Sequence, residues 1–171
     1  MIDNMEYYDI PNITPDDADE ARNYTHRFTL WPKAWKVASR KSFPRLDWKC
    51  FPFNEQAYEE IPRKTGIYTF ILNPNIAGHC CSYLIYVGIT KRTFKERFGE
   101  YLAEKTDRRK RRKITWALKH YASDNLFFYC AEVLSENYNL NKLEADLMDA
   151  FIPPFNWDFK GVMRGIVRDI R

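Results

Sequence analysis

Gly66-Ile67-Tyr68 and, twenty residues on, Tyr86-Val87-Gly88 are the stretch on which the fold turns. Each triplet lies in an apolar run, 67–72 and 83–87, rich in the β-branched and aromatic residues that strands favour. Asn73-Pro74-Asn75-Ile76-Ala77-Gly78 between them is a cluster of turn formers, so the pair predicts a hairpin with a long loop. Gly88 closes the second strand. Thr93-Phe94-Lys95-Glu96 then has the Thr-x-x-Glu spacing of a capping box and opens a helix. On that helix Phe94, Arg97, Phe98, Tyr101 and Leu102 follow the i, i+3, i+4, i+7, i+8 spacing of one face. Arg97 therefore stands in the apolar stripe. A guanidinium cannot lose its charge there, so it must find an anion, as in a salt bridge to a carboxylate, or snorkel to water.

Downstream, Ile114, Ala117, Leu118 and Tyr121 mark a second helix, residues 126–134 a third strand, and Leu140, Leu143, Leu147 and Phe151 a last helix. Glu144 stands three residues after Asn141, the spacing of a capping-box acid, while Asp146 and Asp149 on the same helix could join a polar cluster. Pro153 and Pro154 stop this helix and return Asn156 in an extended segment. Upstream, residues 54–65 hold a short helix around Glu55–Glu60, ended by Pro62.

At 171 residues, with 45% hydrophobic and 16% aromatic content, the chain has the material for one well-packed domain and is not globally disordered. Its net charge of +4 is uneven. Residues 1–22 carry seven acidic side chains and one basic, or −6, which leaves +10 on residues 23–171 and suits a polyanionic partner. The densest charge is residues 105–113, with seven basic residues against one acidic; Arg108, Arg109, Lys110, Arg111, Arg112 and Lys113, with Lys91 and Arg92, are the expected contacts to a phosphate backbone. No run reaches the eighteen or so apolar residues of a spanning helix, and the acidic start lacks the apolar core of a signal peptide. A cytoplasmic protein without membrane contact is expected. Four cysteines without CxxC spacing suggest neither a disulfide framework nor zinc.

Four segments follow from these composition shifts: an acidic, flexible N-terminus over 1–22, an aromatic and basic extension over 23–57, the main domain over 58–157, and a basic tail over 158–171. Pro11 and Pro15 interrupt regular structure in the first. The extension, with Trp31, Trp35 and Trp48 among alternating cations, either completes the core or forms an arm against nucleic acid.

The two triplets, Arg97, Tyr101 one turn later, Glu144 on the last helix and Asn156 after the prolines occur in the order of the GIY-YIG nuclease family, which residues 60–157 resemble. The departures are a longer hairpin loop and Val87 in place of the isoleucine. The resemblance implies an α+β fold, a small three-stranded antiparallel sheet flanked by helices in the order β-β-α-α-β-α. It further implies a DNA endonuclease, restriction-like or mobile-element-like, dependent on Mg²⁺ (or Mn²⁺), and a homodimer where both strands are cut. In that reading Glu144 is the metal ligand, Arg97 holds the phosphate, and Tyr101 and Asn156 support the site. Either Tyr68, the preferred candidate, or Tyr86 deprotonates or positions the attacking water. A tyrosine of reference pKa near 10 is ionised about once in a thousand at pH 7, so such a base needs nearby cations, which Arg97, Lys91 and the metal could supply. The alternative is a non-catalytic nucleic-acid-binding module on the same scaffold, or a nuclease for RNA or branched DNA.

Overall fold

The computed structural model describes residues 14–76, 80–107, 113–122, 125–134, 138–157, 159, 165 and 166. Among them the protein is α+β, with one four-stranded antiparallel sheet and five α-helices. In chain order these are α1 (Pro15–Asn23), α2 (Pro32–Ala38), β1 (Lys49–Pro52), a 3-10 turn (Gln56–Glu60), β2 (Gly66–Leu72), β3 (Tyr83–Thr90), α3 (Phe94–Thr106), α4 (Lys113–His120), β4 (Leu126–Glu132) and α5 (Leu140–Phe151). The sheet order is β1-β4-β2-β3.

The expected sheet of three strands is thus one of four, and two helices and a strand precede the expected order. The added strand comes from the aromatic extension: Lys49 to Pro52 pair with Cys130 to Phe127. Pro52 lacks an N–H, which an edge strand tolerates. Phe53 of the extension is wholly buried in the same core as β2, and Trp31, Phe43 and Leu46 pack on the other face of the sheet. The N-terminal segment also differs from expectation. Pro15 sits in the first turn of α1, where its missing N–H has no intrahelical partner to lose, and Thr14 with Asp17 completes a capping box. None of α1 is buried.

Alternation along the strands divides the core. Tyr68, Phe70, Phe128 and Cys130 face α3 and α4, meeting Phe94, Phe98, Tyr101, Ile114 and Leu118. Ile67, Val87 and Ala131 face α5, meeting Leu140, Leu143 and Met148. A bulge between Phe70 and Ile71 shifts the β2–β3 register, so Ile85 is buried with the α3 side although Leu84 and Tyr83 pair regularly beyond it.

Asp146 fastens the extension to α5. Its carboxylate accepts hydrogen bonds from Lys41 Nζ at 2.6 Å and Lys142 Nζ at 2.7 Å, and the residue is only 7% exposed. Burial works against its charge, but the two ammonium groups outweigh this and hold its carboxyl below the usual range. Since the folded pKa is depressed, the stabilisation is complete above the unfolded value near 3.9 and disappears as acid carries the group through its folded pKa. Asp146→Asn is therefore expected to cost roughly 1.5–3 kcal/mol at pH 7. Urea melts of variant and wild type should draw together as pH falls below the unfolded value and converge once it passes the folded pKa; a gap unchanged by acid would contradict the pairing.

Candidate functional site

Four of the six expected site residues meet on the α3 face of the sheet. In the β2–β3 register Tyr68 lies opposite Gly88 and Phe70 opposite Tyr86, which puts both tyrosine rings on one face. Their rings stack with centroids 6.3 Å apart. Helix α3 opens where the sequence indicates, with Thr93 Oγ1 accepting from Glu96 N and Glu96 returning to Thr93 N. Three turns of phase follow from that start. Phe94, Phe98 and Tyr101 point into the core, and Arg97 stands between them.

The Arg97 guanidinium is held on three sides. Nε donates to the Tyr68 hydroxyl at 3.1 Å, one terminal nitrogen to the Tyr101 hydroxyl at 3.0 Å, and the other to Glu100 Oε2 at 2.7 Å. The two hydroxyls lie 3.0 Å apart. The guanidinium also rests 4.4 Å from the centre of the Tyr101 ring, a cation–π contact. Three of its five N–H bonds are thereby used. With its side chain 20% exposed, the guanidinium borders solvent. Burial opposes its charge, but the Tyr101 and Tyr68 hydroxyls and Glu100 together favour it, and the net effect stabilises the cation.

The tyrosines differ sharply. Tyr68 is 1% exposed and Tyr101 is wholly buried, whereas Tyr86 is half-buried. Burial pushes the phenol of Tyr68 well up, aided by neighbouring Tyr86 and only partly countered by Arg97. Tyr101 is raised for the same reason, burial first and then the other two phenols. Each is thus held as a neutral hydroxyl that orients Arg97.

Gly88 makes this arrangement sterically feasible. A Cβ there would lie 2.5 Å from the Tyr68 hydroxyl and 2.6 Å from its Cζ, so a side chain would displace the ring. Asn156 acts on the same strand from outside. Its Oδ1 accepts from Val87 N at 2.9 Å and its Nδ2 donates to Val87 O at 2.7 Å, while Phe155 N donates to Ile85 O at 3.0 Å. The side-chain amide thus serves as a short strand on the open edge of β3. The turn that delivers it passes through Ile152 at φ 47°, a left-handed conformation uncommon for a β-branched residue and held by complete burial.

Glu144 is half-buried on α5, next to Leu143, which packs on Ile67 and Val87. It is not a capping acid. The N-cap is Asn139, whose Oδ1 accepts from Lys142 N, so Glu144 is the fifth helical residue. Asp146 is committed to Lys41 and Lys142. Among the described residues no group of three or more His, Cys, Asp and Glu stands close enough to hold a metal ion. A divalent ion at Glu144 would therefore have fewer than three such side chains among the described residues and would complete its shell with water and substrate phosphates. This donor set fits Mg²⁺ or Mn²⁺ and not a closed zinc site.

Lys91 and Arg92 are exposed in the turn between β3 and α3. Arg92 is 2.5 Å from Glu100 Oε1, so one carboxylate ties both arginines. Burial works against the Glu100 charge, but hydrogen bonds from Arg92 and Arg97 hold its carboxyl below the usual range. Glu100 went unnoticed in the sequence, although its i, i+3 spacing from Arg97 could have found it. Arg108 to Arg112 lie outside the described residues. Lys113 is the first residue of α4, with Nζ 4.1 Å from the centre of the Trp157 ring. No helix among the described residues is long and apolar enough to cross a membrane. Comparison with protein-family models, curated proteins and solved structures gives no match to this chain, so the functional reading rests on the geometry above.

Proposed function

We propose that this protein is a GIY-YIG-type endonuclease that hydrolyses DNA phosphodiester bonds with a divalent metal. The observation that carries the reading is the Arg97 guanidinium, fixed by two buried tyrosine hydroxyls and one shared carboxylate at the edge of solvent. Here the hydroxyls set the plane of the fork and leave two N–H bonds to meet a further acceptor. A phosphate there would receive charge-assisted hydrogen bonds as negative charge builds on its nonbridging oxygens. Tyr86, the half-buried phenol beside this cluster, is the group we assign to the attacking water. As its phenolate it accepts the water's proton while the new P–O bond forms; the bond to the leaving oxygen breaks, and that oxygen takes up a proton from solvent. Glu144 is the one carboxylate of the expected set, and the ion it would hold supplies Lewis-acid charge to the phosphate. Asn156 and Gly88 are positioning residues, acting through Val87 and Tyr68.

The enclosure of Tyr68 also suits the binding-module reading, in which the same guanidinium grips phosphate without cutting. An assay of duplex, branched and single-stranded DNA and of RNA, with Mg²⁺, Mn²⁺ or chelator, separates the two. Metal-dependent cleavage is the expected result, and Glu144→Gln should abolish it while leaving low-salt DNA affinity intact or slightly higher. Absence of cleavage on every substrate would leave the binding module standing. A Glu144→Gln variant that cuts at the wild-type rate would remove Glu144 from the site.

A further inference from the structure

Away from the Arg97 cluster, residues 23–29, the start of α4 and the turn after α5 enclose a cleft of about 390 Å³, within the range of roughly 300–1,000 Å³ typical of ligand sites. His26, Arg27, Lys113, Trp116 and Phe155 are among its lining residues. Its walls are aromatic and fixed. The His26 ring meets Trp116 at 5.3 Å and Phe155 at 4.9 Å between centroids, and His26 Nε2 is 2.8 Å from the Tyr121 hydroxyl. Trp116 is backed by His120, stacked at 4.4 Å and 25°. Beside Lys113, Trp157 is 65% exposed with the lysine ammonium over its ring.

The charges select the ligand. Arg27 and Lys113 line the cleft, and none of its described lining residues is acidic. Burial and then Lys113 lower the pKa of His26, which keeps that ring neutral at pH 7. A cage for a cationic methylated side chain would need the opposite surroundings, since two fixed cations repel it. Flat rings beside cations suit a flat ring attached to phosphates. The chain entering Lys113 carries Arg108, Arg109, Lys110, Arg111 and Arg112, so covalent connection alone keeps five more cations within a few residues. A base paired in a duplex has both faces covered by its neighbours and cannot enter a cleft; only an unpaired one offers a free π-face.

We propose that this cleft binds an unpaired nucleobase at its Lys113 rim, stacked on the exposed Trp157, with Lys113 and Arg27 on the flanking phosphates. The proposal rests on nucleic acid being the substrate, and it defines that substrate as one with a single-stranded or everted nucleotide.

The test is fluorescence anisotropy in EDTA, where binding is read without cleavage. The probes are a short labelled DNA strand, the same strand with abasic sites, its paired duplex, and a duplex with one bulged base. Wild type should bind the base-bearing strand roughly 5- to 150-fold more tightly than the abasic strand, the range of one base–aromatic stack. Trp157→Ala, at an exposed position that folding tolerates, should remove most of that margin without changing abasic affinity, and Trp157→Phe should restore part of it. Preference for the bulged over the paired duplex would identify an everted base as the ligand; preference limited to the single strand would identify a strand. Equal affinity for base-bearing and abasic strands would overturn the proposal, as would a Trp157→Ala loss equal on both. The margin without any cleavage would keep the cleft and sink the nuclease reading; cleavage without the margin would do the reverse.

Discussion

Tyr86→Phe is expected to fold as the wild type does and to lose roughly 10²–10⁴-fold in single-turnover cleavage rate, the range for removal of a general base. The ring stays stacked on Tyr68, so only the hydroxyl and its proton chemistry are lost. The rise of rate with pH that a phenolate base produces should vanish with it. Tyr68→Phe should behave differently in three measurements. Its hydroxyl accepts from Arg97 Nε and pairs with Tyr101, so its loss leaves a part-buried donor unsatisfied, at about 1–3 kcal/mol of stability. The rate should fall through misplacement of Arg97 while the pH profile keeps its shape. The third difference lies in alkali. Because the folded pKa of Tyr68 is raised, its contribution to stability is complete below the unfolded value near 10 and is lost as pH rises beyond it, so Tyr68→Phe should blunt the alkaline melting of the protein. If the alkaline limb disappears in Tyr68→Phe and persists in Tyr86→Phe, the two roles exchange.

The preference between the tyrosines illustrates what sequence can and cannot express. Strand alternation and the helical stripe place Tyr68, Tyr86, Arg97 and Tyr101 on facing surfaces, and these patterns are local. Which phenol is sealed depends on Gly88 lying opposite Tyr68 and on Phe128 stacking over it at 5.3 Å, from a strand sixty residues away. No periodicity encodes that. The capping box at Thr93 was legible because both partners lie within four residues. At α5 residues 137–141 offer several caps, of which Asn141 with Glu144 is only one; Asn139 is the cap used, and packing of Leu140 and Leu143 decides it. Strand β1 was missed because four residues ending in proline carry almost no strand signal; pairing with β4 supplies it. Pro15 was read as a breaker where it is a helix starter, a difference set by the Thr14 cap immediately before it. The cleft at His26 joins residues from three distant parts of the chain, and only the aromatic and basic composition of the extension hinted at it.

Gly66→Ala should be the most destabilising glycine-to-alanine substitution among the described residues. Gly66 adopts φ +151°, which residues with a Cβ rarely do, and a Cβ there would lie 2.3 Å from the Ala131 carbonyl oxygen, 2.9 Å from Val133 N and 3.0 Å from Phe94 Cζ. Two of those atoms are backbone of the partner strand and its continuation, so they cannot rotate aside. The conformational strain costs about 1–3 kcal/mol and the forced separation of strands a similar amount. Together they come to about 2–6 kcal/mol, a large share of the roughly 5–15 kcal/mol that stabilises a small domain. The clash also falls where β2 and β4 pair and where α3 begins, so it loosens the sheet and the Arg97 helix together. Two companion variants isolate the cause. At Gly99, in mid-helix, a Cβ meets only the edge of the Tyr58 ring at 3.0 Å, and alanine gains about 1 kcal/mol in helix propensity, so Gly99→Ala should be close to neutral. Gly88→Ala has no unusual φ and presses on the Tyr68 and Tyr86 rings rather than on backbone, so it should disturb cleavage more than folding. Urea denaturation ranks all three. A Gly66→Ala midpoint within about 1 kcal/mol of wild type would mean that the strands part at Gly66 more easily than a fixed backbone contact allows.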